Sequence, residues 1–148
     1  MLEKNNTLIV FFYFIIAFVI SGLFLGFENL SFTNSDWILG SGDKANAHIA
    51  WTFFRNDFWH FPIGKNPNYG LDIANSIIFT DSIPILAFFF KTFSFILPKD
   101  FQYFSFWVFL CFFLQLYFSY LLVKFFTKDI KFSLLSSFLF VLLPFYLF

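Results

Sequence analysis

The sequence predicts an all-α fold: polytopic transmembrane helices, with one long external loop that bears interfacial amphipathic helices. Three observations predict it. Phenylalanine fills 31 of 148 positions and charged residues only 12%, more apolar surface than a soluble domain of this size can hide. Several apolar stretches approach or reach the length of a hydrocarbon core. Between the first two secure stretches, the chain turns polar and places both histidines and most of its charges there.

The first span is residues 8–27, "LIVFFYFIIAFVISGLFLGF", uncharged throughout. At 1.5 Å per residue it covers about 30 Å, one hydrocarbon core, and it is too long for a signal peptide. The second is residues 101–123, where Gln115 is tolerated if it bonds to a neighbouring helix. Residues 131–148 begin a third, which contains Pro144 and stops without a polar flank. Burying a terminal carboxylate in hydrocarbon is costly, so the expectation is an amino-terminal fragment of a longer protein.

Residues 77–97, "IIFTDSIPILAFFFKTFSFIL", have a suitable length but contain Asp81, Pro84 and Lys91. Loop charges address this. Residues 124–131 hold Lys124, Lys128 and Lys131 against Asp129, net +2. Residues 28–72 hold Glu28, Asp36, Asp43, Asp57 and Asp72 against Lys44, Arg55 and Lys65, net −2. The positive-inside rule favours the amino terminus and the basic connection in the cytoplasm and residues 28–100 outside, with 77–97 interfacial or re-entrant. The alternative, a span over 77–97, would put both loops on one side and the basic connection outside. Helices are expected near 44–56 and 83–97, the second started by Pro84. A loop this long is functional or disordered, and its three tryptophans and many phenylalanines argue for folding.

Overall charge is balanced, nine bases against nine acids, which excludes a nucleic-acid partner of the electrostatic kind. The combined richness in Phe, Lys, Asn and Ile suits AT-rich coding, so single phenylalanines are treated as spacers. Cys111 lies in an apolar run and can form no intrachain disulfide. No phosphate loop, nucleophile elbow or HExxH is present.

Candidate chemistry concentrates in the external loop. Asp43 heads a helical pattern in which Lys44, His48, Thr52 and Arg55 form a polar stripe opposite Ala47, Ala50, Trp51 and Phe54, an amphipathic helix suited to a membrane surface. Asp43 reads as a helix N-cap, as a catalytic carboxylate, or as both. Arg55 and Lys65 can meet phosphate, of a lipid headgroup or of a substrate. Asp81 is a cap or a substrate contact, and Asn68-Tyr69-Gly70 is a turn. Candidate substrate contacts are thus His48, Arg55, Lys65, Asn68, Tyr69 and Asp81. Asp43 and His48 lie about 140° apart around a helix, a poor bidentate pair. His60 lies beyond the helix. A composite divalent-metal site of the histidines with Asp36, Asp57 or Asp72 stays open, but ligand spacing supports neither a metal nor another cofactor. Otherwise the histidines are surface or interfacial groups.

The order of parts is a first span, an acid at the head of an external amphipathic helix, an Asn-Pro-Asn-Tyr turn, and "DSIPILAFFFKTFSFIL" before the next span. It resembles the amino-terminal end of GT-C type membrane glycosyltransferases, the superfamily of protein mannosyltransferases, oligosaccharyltransferases and lipid A aminoarabinose transferase. The stretches "WTFFRNDFWHFPIGKNPNYG" and "IIFTDSIPILAFFFK" are closer still to an uncharacterised bacterial family of that architecture. The resemblance covers about residues 8–148 and is firmest over 42–91. It implies a multi-pass protein of the bacterial cytoplasmic (inner) membrane, with residues 28–100 periplasmic or extracellular. It also implies a polyprenyl-phosphate-linked sugar donor and Asp43 as the catalytic residue, with activity belonging to the full-length parent. The alternative is a non-enzymatic polytopic protein, a transporter or flippase subunit or an assembly scaffold. Partner subunits are not indicated.

Overall fold

The computed structural model describes residues 2–40, 42–70 and 75–142, and the side chains of all of these except 2–6. It is mostly helical and divides into two compact units. Unit 1 holds the amino-terminal part to Ser31 and the part from Phe104 onward; unit 2 is Phe32–Tyr103.

Unit 1 contains α1 (Leu2–Leu25), α5 (Phe104–Thr127) and α6 (Ile130–Val141), α5 packing against both others. Gly26 ends α1 because its φ of 90° lies in the left-handed region, where a side chain would be strained. Asn29 Nδ2 then donates to the Leu25 carbonyl at 2.6 Å, satisfying one of the open helix-end acceptors. The expected first span therefore ends at Leu25, two residues short of 27. The core joins Tyr13 and Ala17 of α1 to Phe112, Leu116 and Tyr120 of α5 and Val141 of α6. Tyr13 and Ser137 share a hydroxyl hydrogen bond at 2.8 Å, and Gln115 Nε2 donates to the Phe140 carbonyl at 3.0 Å. Asp129 caps α6 by accepting from the Lys131 and Phe132 amides at 2.8 and 3.1 Å.

Thr7–Leu25 and Phe104–Thr127 are long and apolar enough to cross a membrane. Only 22% and 17% of their residues are buried within the protein, unlike the core helices of a soluble domain. The described part of the expected third span is α6, whose 12 residues cover about 18 Å; residues 143–148, including Pro144, lie outside the described residues.

Unit 2 carries α2 (Asp36–Leu39), α3 (Gly42–Asn56), a short antiparallel pair β1 (Lys65–Asn66) and β2 (Asn75–Ser76), and α4 (Pro84–Thr92). Residues 77–97 do not form one helix. A 3-10 turn over Ile77–Phe79 is followed by a break at Ile83, whose φ is 50°, and then by α4 with Pro84 in its first turn. At nine residues α4 spans about 13 Å, far short of a hydrocarbon core. The chain from Phe101 to Tyr103 is non-helical and buried, and α5 starts at Phe104 and not at 101.

The amphipathic reading of α3 needs correction. Its buried arc runs through Ala47, Ala50, Trp51 and Phe54 but also takes in His48 and Arg55, two members of the expected polar stripe. Its apolar side faces the interior of unit 2 and is not free to lie on a membrane. Trp51 is fully buried, edge-on to Tyr103, and its Nε1 donates to the Phe101 carbonyl at 3.2 Å. Arg55 can be buried because its guanidinium donates to the carbonyls of Lys99 (3.0 Å), Leu97 (2.9 Å) and Ser94 (3.4 Å). One planar fork thus holds the whole turn after α4. Arg55→Lys keeps the charge but not the fork, and should lower the stability of unit 2 by about 2–3 kcal/mol. Denaturant titration followed by tryptophan emission would read this; a loss equal to that of an exposed-site control such as Thr52→Ala would contradict the clamp.

Candidate functional site

The first turn of α3 and the chain from Asn75 to Asp81 enclose a small, mainly polar cleft of about 220 Å³. Asp43, Asn46, Tyr69, Asn75, Thr80 and Asp81 line it, with Ala47 and Phe79. It brings together three of the expected residues, Asp43, Tyr69 and Asp81, from segments nearly forty residues apart. Side-chain bonds to carbonyls of α3 hold the surrounding loops there. Ser82 Oγ donates to the Ala47 carbonyl at 2.7 Å, and Asn66 Nδ2 donates to the Ala50 carbonyl at 2.9 Å. The Ser82 carbonyl accepts from the Tyr103 hydroxyl, whose pKa burial pushes far up, so it stays a donor.

Neither acid is the N-cap suggested by the sequence pattern. Asp43 is the second residue of α3, inside its first turn, where a carboxylate meets the positive end of the helix dipole. Position 41, where a cap would sit, is outside the described residues. Asp81 lies three residues before α4, whose cap position is Ile83. Both carboxylates are exposed at the cleft.

The other expected residues lie elsewhere. His48 is buried on α3, and desolvation draws its pKa below the usual histidine value. Arg55 serves the backbone clamp. Lys65 is exposed on β1 and lines a separate, mainly apolar groove with Pro62, Ile63, Ile78 and Phe79; Asn75 and Phe79 border both this groove and the acidic cleft. Asn68 lines a third, open groove with Thr52, Phe53, Asn56 and Asp57.

Beside that third groove lies a cluster of which sequence reading weighed only Asp57 and a histidine, as metal ligands. Asn68 Nδ2 donates to Asp57 Oδ2 at 2.9 Å, and His60 Nε2 lies 3.1 Å from the same oxygen. Partial burial would raise the Asp57 pKa, but the Phe58 amide, His60 and the charge of Lys91 outweigh it and hold the carboxyl below its ordinary range. The i, i+3 spacing of Asp57 and His60 was the available signal. Lys91 is itself buried, with Nζ 3.2 Å from the Phe58 carbonyl and 3.9 and 4.8 Å from the ring centres of Phe54 and Trp59. Desolvation lowers its pKa and Asp57 opposes that shift. Among the described residues, no group of three or more His, Cys, Asp or Glu side chains could hold a metal ion; Asp72 lies outside them.

In chain order, two helices long and apolar enough to cross a membrane precede and follow unit 2, which carries the acid-lined cleft. The chain matches the family described as a domain of unknown function, DUF6311, over residues 14–148, and belongs to it. No curated protein and no solved structure matches it.

His48 gives the site region a pH dependence of known sign. Its folded pKa lies below the unfolded value of 6.5, so the unfolded chain takes up the proton first as pH falls. Stability should therefore drop between about pH 7 and 5, and His48→Leu should flatten that slope in thermal melts. An unchanged slope in the variant would assign the effect to another group.

Proposed function

We propose that the chain is the amino-terminal portion of a GT-C-like membrane glycosyltransferase that uses a polyprenyl-phosphate-linked sugar donor. The observation that carries this reading is the meeting of Asp43 and Asp81 in one small polar cleft, in a domain inserted between two helices long and apolar enough for lipid. A cleft of about 220 Å³ suits a single sugar ring better than a drug-sized ligand. In the family resemblance, Asp43 is the catalytic position.

The chemistry asks little of the protein. Asp43 takes the proton of an acceptor hydroxyl, the acceptor oxygen bonds to the anomeric carbon, and the bond from that carbon to the phosphate oxygen breaks with its electron pair. The phosphate is already a competent leaving group, so a single carboxylate base suffices. Asp81, with Asn46, Asn75 and Tyr69, supplies hydrogen-bonding groups for sugar hydroxyls. Of the two cations considered for the leaving phosphate, Arg55 already donates to three carbonyls, whereas Lys65 is exposed on a groove that adjoins the cleft. The setting is the outer face of a bacterial cytoplasmic membrane, with the lipid tail in the bilayer and the sugar in the cleft.

Sugar transfer by the full-length parent tests this. Asp43→Asn should lower turnover by about 10²-fold or more with an unchanged melting temperature, and Asp81→Asn should mainly raise KM. Undiminished turnover in Asp43→Asn sinks the assignment. Donor binding without transfer in the unsubstituted parent would instead favour a non-enzymatic membrane protein.

A further inference from the structure

Unit 2 keeps Trp51, Phe54 and Tyr103 inside, yet leaves another set of large apolar side chains in the open. Phe61 is 93% exposed, Phe79 85%, Ile85 74%, Ile63 61%, Phe89 56% and Ile78 53%. Scattered surface leucines need no explanation, but a contiguous aromatic and aliphatic patch does. Three observations bring members of this set near one another. Ile63, Ile78 and Phe79 line one groove of about 380 Å³ together with Pro62, the residue after Phe61. Gly64 joins that groove to α4, since a Cβ there would lie 3.2 Å from Ile78 and 3.1 Å from the Phe88 ring. Ile85 and Phe89 are exposed on α4 within one turn of the half-buried Phe88, whereas Ala87 and Lys91 are buried.

We propose that this face of unit 2, and not α3, docks onto a lipid surface. Two features favour lipid as its occupant. The patch belongs to a domain tethered at both ends to lipid-length helices. Six residues lie between Leu25 and Phe32, a reach of about 25 Å at full stretch, and Tyr103 directly precedes Phe104. A bilayer that holds α1 and α5 is therefore always within reach. Charge complements it as well: among the described residues lining the groove the charged one is Lys65, and its long apolar stem can lie along the patch while its ammonium meets headgroup phosphate. An apolar face with a cation at its edge suits interfacial binding.

The experiment uses the full chain in vesicles of phosphatidylethanolamine with a minor share of phosphatidylglycerol. In a Cys111→Ser background, single cysteines at Phe61, Phe79 and Phe89 carry an environment-sensitive fluorophore. Phe118→Cys, on the exposed side of α5, reports lipid around the spans, and Thr52→Cys, on the exposed side of α3, reports water. Doxyl-labelled lipid should quench the three patch positions nearly as strongly as position 118, and leave position 52 bright. Quenching at 118 with none at the patch overturns the docking while leaving the membrane reading intact. No quenching at 118 overturns both. Patch labels that are shielded but unquenched, with or without disulfide-linked copies, assign the face to protein and overturn lipid docking. Unchanged tryptophan emission in each variant shows that unit 2 remains folded.

Discussion

A seventy-residue insertion between two apolar helices has to close on itself before it can hold a site, and here its ends are tied together. The Gln102 amide donates to the Phe32 carbonyl at 2.7 Å, and the rings of Phe32 and Phe101 stack at 5.8 Å. The same segment then seats Trp51 through its Phe101 carbonyl and anchors the Asp81–Ser82 turn through Tyr103. Loop closure grows only slowly in cost with length, so one such closure supports many later contacts. Without it, neither the buried arc of α3 nor the acid-lined cleft has a floor.

Unit 2 also sorts its charges by what each can reach. Arg55 and Lys91 are buried, where the first satisfies three carbonyls and the second sits under two aromatic rings beside a fourth carbonyl. Burying a cation is tolerable only with such partners. Asp43, Asp81 and Lys65 stay outward, on adjoining concavities that share Asn75 and Phe79. A polar, acid-lined cleft beside an apolar groove with a cation on it is an amphipathic surface on a small scale.

The helical class and the two membrane-length stretches were legible because composition and run length carry them directly. The interior of unit 2 was less so. The periodicity of α3 assigned His48 and Arg55 to a solvated stripe, since polar side chains usually lie there; the carbonyls that accept from Arg55 come from residues forty positions away. Lys91 made residues 77–97 look like a flawed span, whereas its charge is accommodated by rings from the 54–59 region. Asp43 and Asp81 were visible as acids near turns. Their meeting was not, because it depends on Ser82 and Asn66 bonding to the backbone of α3, a tertiary choice that local spacing does not encode.

Because Phe32 and Gln102 are hydrogen-bonded neighbours, the insertion leaves from the point where it begins. A segment closed in this way builds its core and its acid-lined cleft from its own residues, and offers two neighbouring chain ends to the helices before and after it.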